Sequence, residues 1–271
     1  MEKEIAQAAI AQLGALGHPQ RLAVFRLLMR HFPEPMAAGD IAAAMDVKPS
    51  TLSVYLTALR QSGLITQERS GTSLLYRADL DGAERLVGYL FEDCCRGRPQ
   101  ICAPEALGHR PFNVLFLCSG NSARSIMAEA LLRAQGPQFH AFSAGLHPAT
   151  LNPETRDLLI AKGHAIEGLH AKHISVFQQA EAPKMDFVFT VCDLAANEEC
   201  PAWPGQPVSA HWGQPDPVKV TGTEAERGLA FQTAYATLKH RIEAFAALPI
   251  ATLDRMSLQA HVDEISQMRP E

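Results

Sequence analysis

The 271-residue sequence has no apolar run near the roughly 18 residues that a membrane-spanning helix needs. Its first residues, MEKEIAQAAIAQL, lack the charged, apolar and small-residue order of a secretory signal. These absences predict a cytoplasmic protein with no membrane partner. A broad basic surface is also missing. Twelve basic residues face twelve acidic ones in 1–110, and twelve face seventeen in 111–271, so any nucleic-acid surface must be local. Internal repeats and low-complexity tracts are absent. Cysteine is sparse, six in all. In a reducing compartment those six favour thiol chemistry or metal binding over structural disulfides.

Hydrophobic residues make up 47% of the chain, enough for real cores, and the length suits two domains. A seam lies at RGRPQICAPEALGHRP, residues 96–111, with three prolines, two glycines and no apolar period. The expected division is a first domain over 1–95, a linker over 96–111, a second domain over 112–250 and a helical extension over 251–271. Cys94, Cys95 and Cys102 lie at or before the seam, and Cys118, Cys192 and Cys200 follow it.

The first half predicts helices over 4–16, 19–31 and 38–45, then a fourth opening near Lys48-Pro49-Ser50. That helix would bury Leu52, Leu56 and Leu59 and end at Gly63. Two short strands around Ser70-Gly71 and a last helix over 79–94 complete it. This order predicts a winged helix-turn-helix, mainly helical with one hairpin. Its second motif helix would lie in the major groove of operator DNA, with Ser50, Thr51, Ser53, Val54 and Tyr55 facing base edges. Lys48, Arg60, Arg69 and Arg77 would face phosphates. The other reading is a small helical domain that binds protein.

The second half alternates strand and helix. Strands are expected at PFNVLFL, FHAFSAG, MDFVFTVC and QPVSAHW, with helices over about 124–135, 153–163 and 224–247. The pattern predicts an α/β domain with a four-stranded parallel sheet in flavodoxin-like order 2-1-3-4. A site is then expected beyond the carboxyl ends of the strands, where Cys118 and Cys192 leave the sheet.

The stretch VLFLCSGNSARS, residues 114–125, specifies that site. A cysteine five residues before an arginine is a weak signal alone. Here the cysteine ends a buried strand, Ser119, Gly120, Asn121, Ser122 and Ala123 are small or polar, and a helix begins at Arg124. Successive backbone N–H groups can turn inward to form an oxyanion nest, and the helix aims its positive end at the same point. Arg124 adds a planar fork matched to a tetrahedral anion. These charges favour the nucleophilic thiolate at Cys118, with Ser125 a hydrogen-bond partner and Asn121 a brace. Asp216, in HWGQPDP, is placed to protonate a leaving oxygen.

Two resemblances sharpen these expectations. LGALGHPQRLAVFRLL with DIAAAMDVKPSTLSVYLTALRQSGLI resembles the ArsR family of metalloregulatory repressors. The resemblance implies a homodimer built on the first and last helices of the N-terminal domain. The Cys-x-Cys pair that many members carry is absent, since AAGDI stands there. Cys94, Cys95 and Cys102 are the candidate replacement, a three-thiolate site for arsenite or antimonite as inducer. Zinc is the rival ligand, and linker cysteines without a ligand the plainer reading.

CSGNSARSIMAE, SAG and HWGQPDP resemble the low-molecular-weight protein tyrosine phosphatase fold, and its arsenate reductase branch more closely. The phosphatase branch commonly has a second loop cysteine and a proline after Arg-Ser, where this chain has Ala123 and Ile126. The reductase branch has a downstream thiol pair, matched by Cys192 and Cys200. The resemblance implies a Cys118 adduct of arsenate, then disulfide exchange from Cys118 to Cys192 to Cys200 and on to an external reductant, thioredoxin by expectation. Phosphate or sulfate would fit the same anion site, and no tightly bound cofactor is expected. Eight residues along a helix span about 12 Å, and a disulfide needs Cα atoms about 4.4–6.8 Å apart. The 192–200 segment must therefore be a loop or unwind. A potassium site is not assigned. Asn121, Glu129 and Ser143 match the ligands some reductases use, but Ser175 stands where an aspartate would belong. A repressor fused to a phosphatase and a non-catalytic oxyanion-sensing regulator are the alternative functions.

Overall fold

The structure, a computed structural model, describes residues 2–95, 110–197, 203, 206–253 and 255–268. The chain divides into two compact units, Met1–Glu105 and Ala106–Glu271.

In the first unit, α1 (Glu2–Leu16), α2 (Pro19–His31), α3 (Ala38–Met45) and α4 (Pro49–Gln61) precede a hairpin of β2 (Ile65–Ser70) and β3 (Ser73–Ala78). α5 (Leu80–Tyr89) follows. The buried stripe of α4 is Leu52, Leu56 and Leu59, which packs with Val24, Leu27 and Leu28 of α2 and Ile41 of α3 in one core. The hairpin register, Ile65 opposite Ala78 through Ser70 opposite Ser73, makes Gly71-Thr72 the turn, one residue later than Ser70-Gly71. Gly71 supplies the positive φ that a two-residue turn requires. Gly82 opens α5 against the Gly63 carbonyl, where a Cβ would lie only 1.8 Å from that oxygen. The buried Gln12 amide donates to the Gly82 carbonyl at 2.9 Å and ties α1 to the same point.

Two details differ from the expected elements. A two-residue strand β1 (Met36–Ala37) pairs with β3, making the wing sheet three-stranded in order β1-β3-β2. Two residues carry too little pattern to announce a strand. The last helix also does not run on to Cys94 as α-helix, since Leu90–Cys94 is a π-helical turn.

The second unit holds β4 (Phe112–Cys118), α6 (Arg124–Arg133), β5 (Phe139–Gly145), α7 (Pro153–Ala161), β6 (Phe187–Thr190), α8 (Asp193–Asn197) and β7 (Val208–His211). The long α9 (Glu224–Ala246) and α10 (Arg255–Ser266) follow. All strand pairs are parallel and the order is β5-β4-β6-β7, the 2-1-3-4 arrangement. β4 is buried along nearly its whole length because it is an inner strand with both faces covered. β6 stops at Thr190, so Cys192 lies in a turn past the strand and not within it. α8 and the short 3-10 turns Ile174–Phe177 and Pro217–Lys219 fall in stretches too short to show a period.

The core centres on aromatic rings. Trp212 stacks on Phe189 with centroids 4.1 Å apart and planes 9° apart, and Phe245 of α9 meets both edge-on. β7 is the sheet edge, and α10 covers it. The Gln259 amide occupies the place of a neighbouring strand, donating to the Ser209 carbonyl at 2.7 Å and accepting from the Ser209 N–H at 3.4 Å. The Trp212 indole N–H donates to the Val262 carbonyl at 3.2 Å.

Burial pushes the Asp263 carboxyl up to about 6, against the opposing pull of its hydrogen bond from Gln259. The folded state then holds a proton that the unfolded chain has released, so stability falls as pH rises from about 4 to about 6. Asp263→Asn should raise stability at pH 7 by on the order of 1–2 kcal/mol. It should change it little at pH 4, in urea unfolding followed by tryptophan fluorescence.

Candidate functional site

The Cys118 sulfur leaves the C-terminal end of β4 and is surrounded by the next seven residues. The Asn121 backbone N–H donates to it at 3.1 Å, and Ser125 Oγ lies 2.9 Å away. Asn121 takes a left-handed backbone, φ 43°, which asparagine tolerates better than most residues. That conformation folds 119–123 back over the strand end. Ala123 stands at the N-cap of α6 without a side chain that could cap it, so the first turn of α6 presents backbone groups to the loop.

The Asn121 side chain organises the site from beneath. Its Oδ1 accepts the Lys172 backbone N–H at 2.6 Å, which fixes the orientation of the amide. Its Nδ2 then donates to Ser125 Oγ at 2.9 Å and to Ser143 Oγ at 2.8 Å. Ser125, having accepted, has its own proton left to point at the Cys118 sulfur. Ser143 Oγ donates a hydrogen bond to the Glu129 carboxylate. Glu129 is buried and matched by two cations, Lys172 Nζ at 3.2 Å and Arg133. A buried carboxylate needs such partners to remain charged. Gly145 closes the arrangement at the end of β5. A Cβ there would meet Asn121 N and Ser119 O at 2.9 Å each, so only glycine lets the loop approach.

Arg124 and Asp216 meet above the sulfur's loop. Arg124 donates to Asp216 Oδ2 at 2.7 Å and to the Gln214 carbonyl at 2.9 Å. Asp216 Oδ1 accepts the Val218 N–H at 3.2 Å at the start of the 3-10 turn. The loop carrying Asp216 is anchored at its base. Arg241 of α9 donates to the Gly213 carbonyl and to the Met268 carbonyl at 3.3 Å each.

The low molecular weight phosphotyrosine protein phosphatase model matches residues 113–259, and a helix-turn-helix domain model matches residues 16–68. The chain belongs to the low molecular weight phosphotyrosine protein phosphatase family. It joins that domain to an ArsR-like winged helix. An arsenate reductase of Shouchella clausii is 35% identical over 136 residues, covering 49% of this chain and 94% of that protein. A biofilm growth-associated repressor of Agrobacterium fabrum is 33% identical over 105 residues, covering 39% of this chain and 80% of the repressor. A solved arsenate reductase in a phosphate-binding state is 25% identical with a TM-score of 0.41, covering 50% of this chain and 97% of the other.

The phosphatase-family domain holds a second buried thiol near Cys118. Cys192 is buried, with its sulfur against the Ser119 and Ala195 backbone N–H groups and within electrostatic reach of Arg124 and Cys118. Burial pushes the Cys192 thiol up from its ordinary range, and those N–H groups and Arg124 pull it partly back. α8 begins right after it, so the 192–200 segment starts as helix, and Cys200 lies outside the described residues. Sequence reasoning missed Lys172, Gln214, Arg241 and the His211–Asp193 pair, 3.1 Å apart. None carries a local motif, because each acts across the fold. The Gln214 side-chain amide is buried with no hydrogen-bond partner among the described residues.

In the winged-helix unit, Ser50, Thr51, Ser53 and Val54 are exposed on the N-terminal half of α4. Tyr55 is half-buried, its ring 5.3 Å from that of His18, so it is committed to packing as much as to a ligand. Lys48 and Arg60 at the two ends of α4 and Arg69 and Arg77 on the hairpin are also exposed, with Arg69 bonded to the Gly71 carbonyl. Cys94 is exposed on the π turn and Cys95 half-buried beside it, while Cys102 lies outside the described residues.

Asn121→Ala removes three side-chain hydrogen bonds and a favourable left-handed residue. It should lower kcat/KM for the anionic substrate by about 10²-fold, measured by initial rates. For Cys192, alkylation by iodoacetamide in a Cys118→Ser variant should accelerate with pH, with a midpoint above the ~8.5 of an ordinary thiol.

Proposed function

We propose that the second unit is an arsenate reductase and the first an arsenic-responsive repressor of its own operator. The observation that carries the enzymatic half is Cys192 seated against the loop that follows Cys118. Hydrolysis of a phosphate ester moves no electrons and needs one thiol. Reduction of arsenate moves two electrons, and a second thiol within reach of the first can supply them.

In this reading the loop amides and Arg124 hold arsenate while the Cys118 thiolate attacks arsenic. Asp216 gives its proton to the departing oxygen, which leaves as water. Cys192 thiolate then attacks the Cys118 sulfur. The sulfur–sulfur bond forms, the sulfur–arsenic bond breaks, and its electron pair stays on arsenic, which departs as arsenite. Cys200 thiolate attacks Cys192 in turn, freeing Cys118 and leaving a Cys192–Cys200 disulfide for an external dithiol, thioredoxin by proposal. Eight residues of continuous helix would hold two cysteines too far apart for a disulfide, so that exchange needs the segment after Cys192 to be a loop or to unwind. This traffic in reduced thiols fits a cytoplasmic protein.

The winged-helix reading is supported by the fold, the helix-turn-helix match and the exposed basic groups around α4. Apolar residues Ile5, Ile10 and Leu13 of α1 and Val87 of α5 face outward, which suits a homodimer through those helices. Arsenite or antimonite on Cys94, Cys95 and Cys102 would be the inducer.

Thioredoxin-coupled, arsenate-dependent NADPH oxidation tests the enzymatic half. Wild type should turn over. Cys192→Ser and Cys200→Ser should fall to background while still losing one equivalent of Cys118 thiol to arsenate. A wild type that hydrolyses p-nitrophenyl phosphate but leaves arsenate untouched overturns the reductase reading in favour of a phosphatase.

A further inference from the structure

The buried stripe of α4 is Leu52, Leu56 and Leu59. At 100° per residue, Val54 lies about half a turn round from it, at the centre of the outward ridge. Ser50, Thr51, Thr57, Ala58 and Gln61 flank it. Val54 is 65% exposed. A β-branched residue at such a place contributes nothing to the core and is a poor helix former, so neither packing nor propensity accounts for it.

The chemistry of the ridge narrows what it can read. Its N-terminal half, the part that enters a major groove, has no arginine, lysine or asparagine. It therefore has no fork for the O6 and N7 acceptors of guanine and no amide for adenine. The single amide, Gln61, is at the far end of the helix. What the ridge presents instead is methyl groups, from Val54, Thr51 and Thr57. Thymine is the base that presents a methyl group in the major groove. Lys48 and Arg60 at the two ends of α4 and Arg69 and Arg77 on the hairpin strands are exposed and suit phosphates, which supply affinity without sequence information. A lone valine among hydroxyls is too small an anchor for a protein partner, whose hot spots favour aromatic residues and arginine.

We infer that Val54 contacts the 5-methyl group of thymine, so that the winged-helix unit selects duplex DNA by thymine methyls and not by guanine. The inference rests on the DNA-binding reading above. Tyr55, turned toward His18, and the Ser50 and Thr51 hydroxyls are secondary in this readout.

The test uses the full chain. Duplexes enriched by it from a random-sequence pool are remade with deoxyuridine in place of thymidine, which keeps base pairing and removes only the methyl group. Wild type should bind the uracil duplex about five- to ten-fold more weakly than the thymine duplex, by fluorescence anisotropy at fixed salt. Val54→Ala should bind the thymine duplex more weakly than wild type and the two duplexes within about two-fold of each other. Equal binding of both duplexes by wild type, or full thymine preference in Val54→Ala, overturns the inference. Failure of wild type to enrich any duplex overturns the DNA-binding reading itself, and this inference with it.

Discussion

The loop that follows Cys118 depends on one buried amide. Asn121 sits in a left-handed conformation that only a few residue types accept, and its side chain bonds to three different parts of the unit. Through Ser125 it reaches the Cys118 sulfur. Through Ser143 it reaches the Glu129 carboxylate, and through Lys172 the segment beyond α7. The network is stable because every polar member is paired, and because Glu129 has Lys172 and Arg133 against its charge. With one partner missing, the same low-dielectric setting would turn a rigid brace into an unpaired buried group.

The acid loop is held from the opposite side by a different kind of contact. Trp212 is locked by stacking on Phe189 and by its bond to Val262, and Gly213 is held by Arg241. Both residues lie just before Gln214 and Asp216, the two partners of Arg124. α10 therefore covers the open edge of the sheet and also steadies the base of the loop that carries the carboxylate. The rigid frame contrasts with the proposed thiol relay. Cys192 must be buried enough to meet Cys118 and yet belong to a segment that can change shape. A helix as short as Asp193–Asn197, with little intrinsic stability, suits that demand.

Each unit has its own hydrophobic core. One is built on the leucine stripe of α4 against α2 and α3, the other on the sheet and its phenylalanines. Because no core residue is shared between the two clusters, either chemistry could be altered without redesigning the other's packing. The outward faces are chemically distinct as well. The outward ridge of α4 is uncharged in its N-terminal half, and the loop after Cys118 turns the Asn121 N–H toward the sulfur. Both proposed activities engage anions, one as a polymer backbone and the other as a single tetrahedral ion.

Much of this was legible in the chain order of residues. Period 3.6 and period 2 apolar patterns located the main helices and strands. Alternating strand and helix with right-handed crossovers left few topologies, and the expected 2-1-3-4 order among them pairs β4 with both β5 and β6. The run from Cys118 to Ser125 declared a strand end, a small-residue loop and a helix start, because those features are local. Short elements such as β1, α8 and the π turn at Leu90–Cys94 were not legible, since a few residues have no period. The supporting residues were silent for another reason. Lys172 lies 43 positions from Glu129, and Arg241 lies 28 from Gly213. Local residue order determined which groups could act as nucleophile, anion ligand and acid. Tertiary structure alone decided how they are oriented and braced, because burial and hydrogen bonding depend on neighbours that the fold brings in from distant parts of the chain.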